Sequence, residues 1–363
     1  MSALNSNILH APTGREEAWR FTPLKRMAGL HDGSAKVVDR KSLSLKSAVS
    51  GVTFERIASS ALPAASLSDD VIVNRVREGA TDVAVLTIAS EADLKEPISL
   101  VRTVGGLEGA ELSRVRIVIE RHARATIIIE NTGDALLAED LEILVGPEAN
   151  LTLVTLQEWS AKSVHAGRHH AVVDKDGTFK SIVVTIGGDV VRLLPTVDFS
   201  APGASAELLG VYFATDGQFF EHRMFVDHKV PQAKSRVNYK GALAGKDAHT
   251  VWVGDVFIRA NAEGTDTYEL NRNLLLSDGA RADSVPNLEI ETGEIEGAGH
   301  ASTTGRFDDE HLFYLMSRGI SRADARRLVV RGFFNEIIAE IGDEEIQNRL
   351  MERIDVELVK AGA

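Results

Sequence analysis

The 363-residue chain contains no cysteine. Disulfides, thiolate metal ligation and cysteine nucleophiles are therefore excluded for this chain, and a reducing compartment is the simpler expectation. Long apolar runs are also missing: nothing approaches the roughly 20 residues that span a bilayer. The N-terminus, MSALNSNILHAPTGREEAW, has no basic segment leading into an apolar one and does not read as a signal peptide. A cytoplasmic protein without membrane contact is expected. Positive charge is scarce, with 40 Lys and Arg against 53 Asp and Glu, a formal net charge of −13. An acidic surface repels phosphate backbones, so nucleic acid is not an expected partner.

Nucleotide and zinc-protease motifs are absent. No GxGxxG and no HExxH occur. The segment GALAGKD, Gly241 to Asp247, has three residues between its glycines where a phosphate loop needs four. Asp247 stands where the magnesium-binding hydroxyl belongs, so the segment reads as a loop between strands. Aromatics are only 6% of the chain, few for a sugar-binding groove. Carboxylate pairs arise by chance among 53 acidic residues and do not by themselves indicate a glycosidase. A β-helix carbohydrate-active enzyme remains the alternative reading.

Hydrophobic residues make up 44% of the chain, enough for a large core, and the length allows about two domains. Near the N-terminus, Thr22 and Pro23 predict a helix start, with Leu24, Met27 and Ala28 on its apolar face. Trp19 and Phe21 are expected to anchor this segment. Residues 32–82 read as a small unit with loops. From Val83 the texture changes to short β-branched runs such as VAVLTI, VRIVIE, LEILV and TVWVGDVFI, separated by Gly, Asn, Asp or Pro. Thr126–Ile129 and Ile182–Ile186 are continuously apolar, which suits strands buried on both faces. More than two hundred residues of strand without a helix exceed one ordinary sandwich. A solenoid is the economical solution, with a double sandwich or two barrels as alternatives, because no strict repeat is visible.

After Gly305 the apolar period becomes helical. Asp308 is a cap, with Asp309 and Glu310 favourable to the dipole. Leu312, Phe313, Leu315 and Met316 make the helix apolar over most of its circumference and predict burial. Gly319 ends it. Ser321 and Asp324 resemble a capping box before a helix with a stripe of Ala325, Leu328, Val329, Phe333, Ile337 and Ile341. A last helix carries Ile346, Leu350, Ile354 and Leu358. The division expected is 1–82 N-terminal and partly helical, 83–304 strand solenoid, and 305–363 helical.

Several side chains invite chemistry. His165, His169 and His170 sit in HAGRHH, with His222, His228 and His249 on later strands; a metal site of the cupin kind is conceivable. Four-residue spacing gathers side chains on helices, whereas this region reads as strand, so exposed or hydrogen-bonded histidines are expected. Asn271 and Asn273 share a strand face and read as stacked amides at coil turns. Arg326, Arg327 and Arg331 read as a solvated helix face. His300 lies among Gly297, Ala298, Gly299, Ala301 and Ser302, which are too small to cover it. One histidine holds no metal alone, so a site there needs ligands from a second chain.

The segments NYKGALAG, VWVGDVFIR, ELNRNLLLSDGARADSVPNLEI and GHASTTGRFDDEHLFYLMSRGISRADAR follow one another between His228 and Glu340. With EEAWRFTPL near the N-terminus, they resemble the SufB/SufD family of iron–sulfur cluster assembly proteins, and chain length resembles its shorter SufD branch. The resemblance implies a right-handed parallel β-helix between N- and C-terminal helical regions. It implies a scaffold subunit without catalytic turnover, pairing with SufB through the β-helix and docking the ATPase SufC through the C-terminal helices, and implicated in iron acquisition. A homodimer is expected when SufB is missing. No cofactor is expected on the isolated chain; iron or a transient Fe–S cluster belongs to the complex, and ATP to SufC. His300 falls on the family histidine at the SufB–SufD interface, with HAST for the usual HGAT. The family cysteine two residues earlier is replaced by Ala298, which leaves the imidazole as the soft-metal ligand of the segment. For SufC docking, the matching residues are Leu312, Phe313, Leu315, Met316, Arg318 and Gly319.

Overall fold

The computed structural model of the protein describes residues 10–63, 67–306 and 309–360. Its elements run β1 (Leu43–Leu45), β2 (Val52–Ala58), α1 (Val71–Gly79), β3 (Asp82–Ile88), β4 (Ile98–Gly105), β5 (Glu111–Ile119) and β6 (Arg124–Asp134). Then follow β7 (Leu136–Val145), β8 (Asn150–Trp159), β9 (Val164–Val173), β10 (Thr178–Thr185), β11 (Val190–Phe199) and β12 (Ser205–Ala214). The last strands are β13 (Phe219–His228), β14 (Lys234–Leu243), β15 (His249–Ile258), β16 (Asp266–Leu275), β17 (Arg281–Ile290) and β18 (Gly297–Arg306). Three helices close the chain: α2 (Asp309–Ser317), α3 (Arg322–Ile338) and α4 (Glu344–Lys360).

Strands from β4 onward alternate between two sheets. One runs β1-β4-β6-β8-β10-β12-β14-β16-β18, the other β17-β15-β13-β11-β9-β7-β5-β3-β2. Among the described residues only β1 and β2 join antiparallel, on β4 and β3, and every later pairing is parallel. The result is a parallel β-solenoid of about eight turns, with helices near both ends. This replaces the sandwich and barrel alternatives. A repeat is hard to see because coil length drifts: Arg124 pairs with Asn150, 26 residues on, whereas Lys234 pairs with Asp266, 32 residues on. One corner keeps time nonetheless. Glu91, His122, Glu148, Asp176, Gly203, Gln232 and Gly264 all have positive φ. Most donate a backbone N–H to the carbonyl of the next coil, as His122 does to Pro147 at 3.0 Å and Gln232 to Glu263 at 2.7 Å.

The continuously apolar strands serve two cores. Ile127 and Ile129 face the coil interior, while Ile128 faces out beneath the C-terminal helices; Val183 faces in while Ile182 and Val184 face out. The outward cluster joins Val154, Leu156, Leu209, Val211 and Phe213 to Val330, Phe334, Ile337, Leu350 and Ile354. Helices α3 and α4 therefore lie on the sheet. Ion pairs Lys180–Glu340 (2.7 Å), Lys240–Glu336 (2.6 Å) and Arg349–Glu130 (2.7 Å) edge the contact. The expected α4 stripe of Ile346, Leu350, Ile354 and Leu358 is buried. The α3 stripe is rotated from the expected one: Ala325, Val330, Phe334, Ile337 and Ile338 are buried, whereas Leu328 is 49% exposed. The sheet face that α3 covers, over β12 and β14, rather than its own composition, sets which side of the helix is buried. Ser321 Oγ accepts the Asp324 N–H at 3.1 Å, and the shorter Asp324 carboxylate takes the Ser321 hydroxyl at 2.7 Å. Gly319, at φ +85°, follows α2 as expected, and Gly342, at φ +74°, caps the 3₁₀ turn Ala339–Ile341 that extends α3.

On the opposite sheet, α1 and Trp19, Met27 and Leu30 pack over Leu136, Val164, Val190, Phe219 and Val251. The expected N-terminal helix is reduced to one 3₁₀ turn, Leu24–Arg26, preceded by another at Glu17–Trp19, and Ala28 turns left-handed at φ +48°. Tertiary bonds outcompete the helix. The Thr22 hydroxyl donates to buried Glu221 at 2.6 Å instead of capping, and Arg26 ion-pairs with Asp189 at 2.7 Å. Among the described residues, no helix is long and apolar enough to cross a membrane.

Candidate functional site

Because side chains alternate along a strand, every coil sends its odd or even set inward, and the interior of this solenoid is not wholly apolar. Arg102 is fully buried and pairs with Glu139, while donating to Asn131 Oδ1 at 2.8 Å and Ser113 Oγ at 2.8 Å. His165 and His169 flank the same carboxylate at 3.7 and 3.5 Å. Of the expected exposed or hydrogen-bonded histidines, exposure and separation of this pair are corrected, whereas hydrogen bonding holds for His165, whose Nδ1 accepts from Trp159 Nε1 at 3.3 Å. Four is an even number, so both face inward, and Glu139 lies beside Gly167, midway between them. Burial opposes charge on Glu139, but the Arg102 guanidinium and the two imidazoles outweigh it and hold the carboxyl well below its usual range. Burial pushes the His165 imidazole down. His222 stacks on Tyr212, with ring centroids 5.2 Å apart. Among the described residues, no three His, Asp or Glu side chains converge as a metal site.

Asn271 and Asn273 lie at mid-strand inside the coil, not at coil turns. Tyr212 Oη donates to Asn273 Oδ1 at 2.6 Å and accepts from Asn271 Nδ2 at 3.0 Å. Asn273 Nδ2 donates to Asn271 Oδ1 at 2.7 Å, and Ser284 Oγ to the same oxygen at 2.5 Å. This network reaches Thr304 on β18, 3.4 Å from Asn273.

Strands β17 and β18 end their sheets, each with one neighbour among the described residues. His300 sits on β18, paired in register with Glu269 on β16, and is exposed. Ala298, His300, Ser302 and Thr304 align with inward-facing Thr267, Glu269, Asn271 and Asn273. The imidazole thus belongs to the inward-facing row of the last coil, uncovered because no further coil follows. Glu269 was missed in the sequence. It is 1% exposed, and neither carboxylate oxygen has a hydrogen-bond partner. Burial, helped by the charge of Asp255, pushes its carboxyl up to about 8. Its signal is present in ELNRN, three polar residues at strand spacing two.

In α2 the expectation of burial is corrected. Leu312 is buried and Leu315 half-buried, but Phe313 is 73% exposed and Met316 40% exposed. Arg318 is exposed beside them, its guanidinium 4.5 Å from the centroid of the exposed Tyr314 ring. Among its described apolar side chains Leu312 and Leu315 are covered, whereas Phe313, Tyr314 and Met316 are not. The expected cap at Asp308 lies outside the described residues, as do the side chains of Asp309 and Glu310. The arginines of α3 are engaged rather than simply solvated: Arg326 donates to the Leu276 carbonyl at 2.7 Å, Arg327 pairs with Asp324 at 2.7 Å and Arg331 with Asp355 at 2.6 Å.

The family model "SUF system FeS cluster assembly, SufBD core domain" matches residues 102–333. An iron–sulfur cluster assembly SufBD family protein of Mycobacterium tuberculosis is 46% identical over 365 residues, covering 98% of this chain and 92% of the relative. One from Mycobacterium leprae is 46% identical over 375 residues, 99% of this chain and 95% of the relative. The iron–sulfur cluster assembly protein SufD of Escherichia coli is 24% identical over 379 residues, 94% of this chain and 88% of the relative. The matched region runs from the Arg102 strand through the open end to α3. The chain belongs to the SufBD family of iron–sulfur cluster assembly proteins.

Proposed function

We propose that this chain is a SufD-type scaffold subunit, without turnover of its own, in a complex that assembles iron–sulfur clusters. It pairs with SufB through the open end of the solenoid and docks the ATPase SufC through the C-terminal helices. Iron, or a nascent cluster, is cargo held between the two β-solenoids, with His300 as this chain's ligand.

The observation that carries the reading is the position of His300 on β18, the last strand of its sheet, exposed beside an unpaired strand edge. An edge strand offers a row of free N–H and C=O groups to a second chain. A facing solenoid brings its own ligands to the imidazole, as Ala298 supplies none. Imidazole suits iron. The exposed Phe313, Tyr314 and Met316 favour a protein partner on α2, because aromatic residues and Met are enriched in interface cores.

The test is anaerobic co-expression with SufB and SufC, followed by iron and sulfide quantification. The His300→Ala complex should assemble normally and carry little cluster. An unchanged cluster yield would remove His300 from the site.

A further inference from the structure

The carboxylate of Glu269 is one coil below His300, on the same inward face and in direct register with it. Adjacent strands lie about 4.8 Å apart. Two ligands each about 2 Å from one ion stand at most about 4 Å apart, so the exposed His300 side chain turns down toward Glu269 to close the pair. Both oxygens of Glu269 lack a hydrogen-bond partner although the residue is buried. A buried carboxylate without donors is costly, and nothing in the fold requires it: Asn271 and Asn273, on the same face, are fully bonded. Space is also reserved for it. Across the coil stands Gly254, where a Cβ would come within 2.6 Å of Glu269 Oε1 and 2.5 Å of the Trp252 ring. Above Gly254 the last coil places Pro286, which has no N–H to donate.

We infer that Glu269 and His300 together form a half-site for one divalent iron ion, an oxygen and a nitrogen ligand stacked on successive coils at the open end. The remaining positions are filled by water in the isolated chain and by a capping partner in the complex. The pair suits Fe(II) and its surrogate Co(II) because carboxylate and imidazole are both ordinary ligands for them. The inference rests on the reading of the open end as the assembly site and names a second residue of it.

Cobalt(II) alone, titrated into the purified full-length chain and followed by visible absorption and equilibrium dialysis, is the probe. One weakly held ion per chain is expected. His300→Ala and the isosteric Glu269→Gln should each weaken binding at least about tenfold, and Glu269→Asp should restore part of it. Circular dichroism and melting of each variant exclude unfolding as the cause. Wild-type affinity in Glu269→Gln with loss in His300→Ala overturns the role of Glu269 and leaves His300 standing. Equal binding by the wild type and the Glu269→Gln, His300→Ala double variant overturns the half-site. Loss in both single variants, combined with normal cluster yield of His300→Ala in cells, keeps the metal pair and rejects the assembly-site reading.

Discussion

The Arg192 guanidinium lies 3.9 Å from the centroid of the Trp19 ring and forms an ion pair with Asp70 at 2.7 Å. Trp19 is the tryptophan of EEAWRFTPL, so this N-terminal motif is a latch. It ties the start of the chain and the cap of α1 to β11, more than a hundred residues away in sequence. Trp19→Ala removes a buried aromatic ring and a cation–π contact, and should cost about 3 kcal/mol or more. Urea denaturation measures the loss. A midpoint within error of the wild type would show that the latch contributes nothing to the folded state.

Tyr212→Phe deletes one hydroxyl from the network inside the last coils. Asn273 Oδ1 loses its donor and Asn271 Nδ2 one acceptor, in a site closed to water. The cost should be about 1–3 kcal/mol. The replacement keeps the ring stacked on His222, so a change below about 0.5 kcal/mol would mean that water repairs the network.

Burial pushes His222 down to about 3 and His228 down to about 4. Unfolded histidine titrates near pH 6.5. Below that value the unfolded chain binds protons that the folded chain refuses, so both residues make stability fall as pH drops from about 6.5 toward 4. Glu269, raised to about 8, acts with the opposite sign: its contribution falls as pH rises from about 4.5 to 8. The comparison must therefore be differential. A His222→Asn, His228→Asn variant should lose less stability than the wild type between pH 7 and pH 5, measured by denaturant midpoints. Parallel pH profiles would contradict neutral burial of these rings.

Phe313 and Leu312 are neighbours with opposite fates. Phe313→Asp places a charge on a ring position that is 73% exposed, so the fold should be unchanged within about 0.5 kcal/mol. Capture of SufC should fall at least tenfold if the ring is a docking anchor. Leu312→Asp buries the charge and should loosen α2 itself. Pull-down and melting temperature, read together, separate the two. Undiminished capture by a folded Phe313→Asp protein would move the docking surface elsewhere.

The solenoid was legible in the sequence because strands buried on both faces leave unbroken runs such as Ile127–Ile129. The family was legible in short motifs around Pro286, His300 and Arg318. What the runs could not reveal is which residue of each pair faces which core. Ile128 meets α3 and α4, not the coil interior, and only the register decides that. The burial of His165 and His169 was hidden for the same reason, since their partner Glu139 lies on the preceding coil, in register with Gly167. The N-terminal helix failed because Thr22 and Trp19 spend their side chains on Glu221 and Arg192. Phe313 misled in the opposite direction: an apolar circumference implies a covering, but not that the same chain supplies it.

A stacked solenoid couples each coil only to its neighbours, and such chains fray piecemeal. Here the outward clusters run lengthwise. Residues from Ile128 on β6 to Leu276 beyond β16 share one cluster with α3 and α4, and Leu136 to Val253 share another with α1 and Trp19. These are splints along both sides of the stack, and they convert coil-by-coil melting into one cooperative event. Strand β18 contributes to neither cluster. Amide hydrogen exchange should therefore be uniformly slow from β6 to β15 and fast on β18, which leaves the strand carrying His300 pliable on a body that is otherwise rigid.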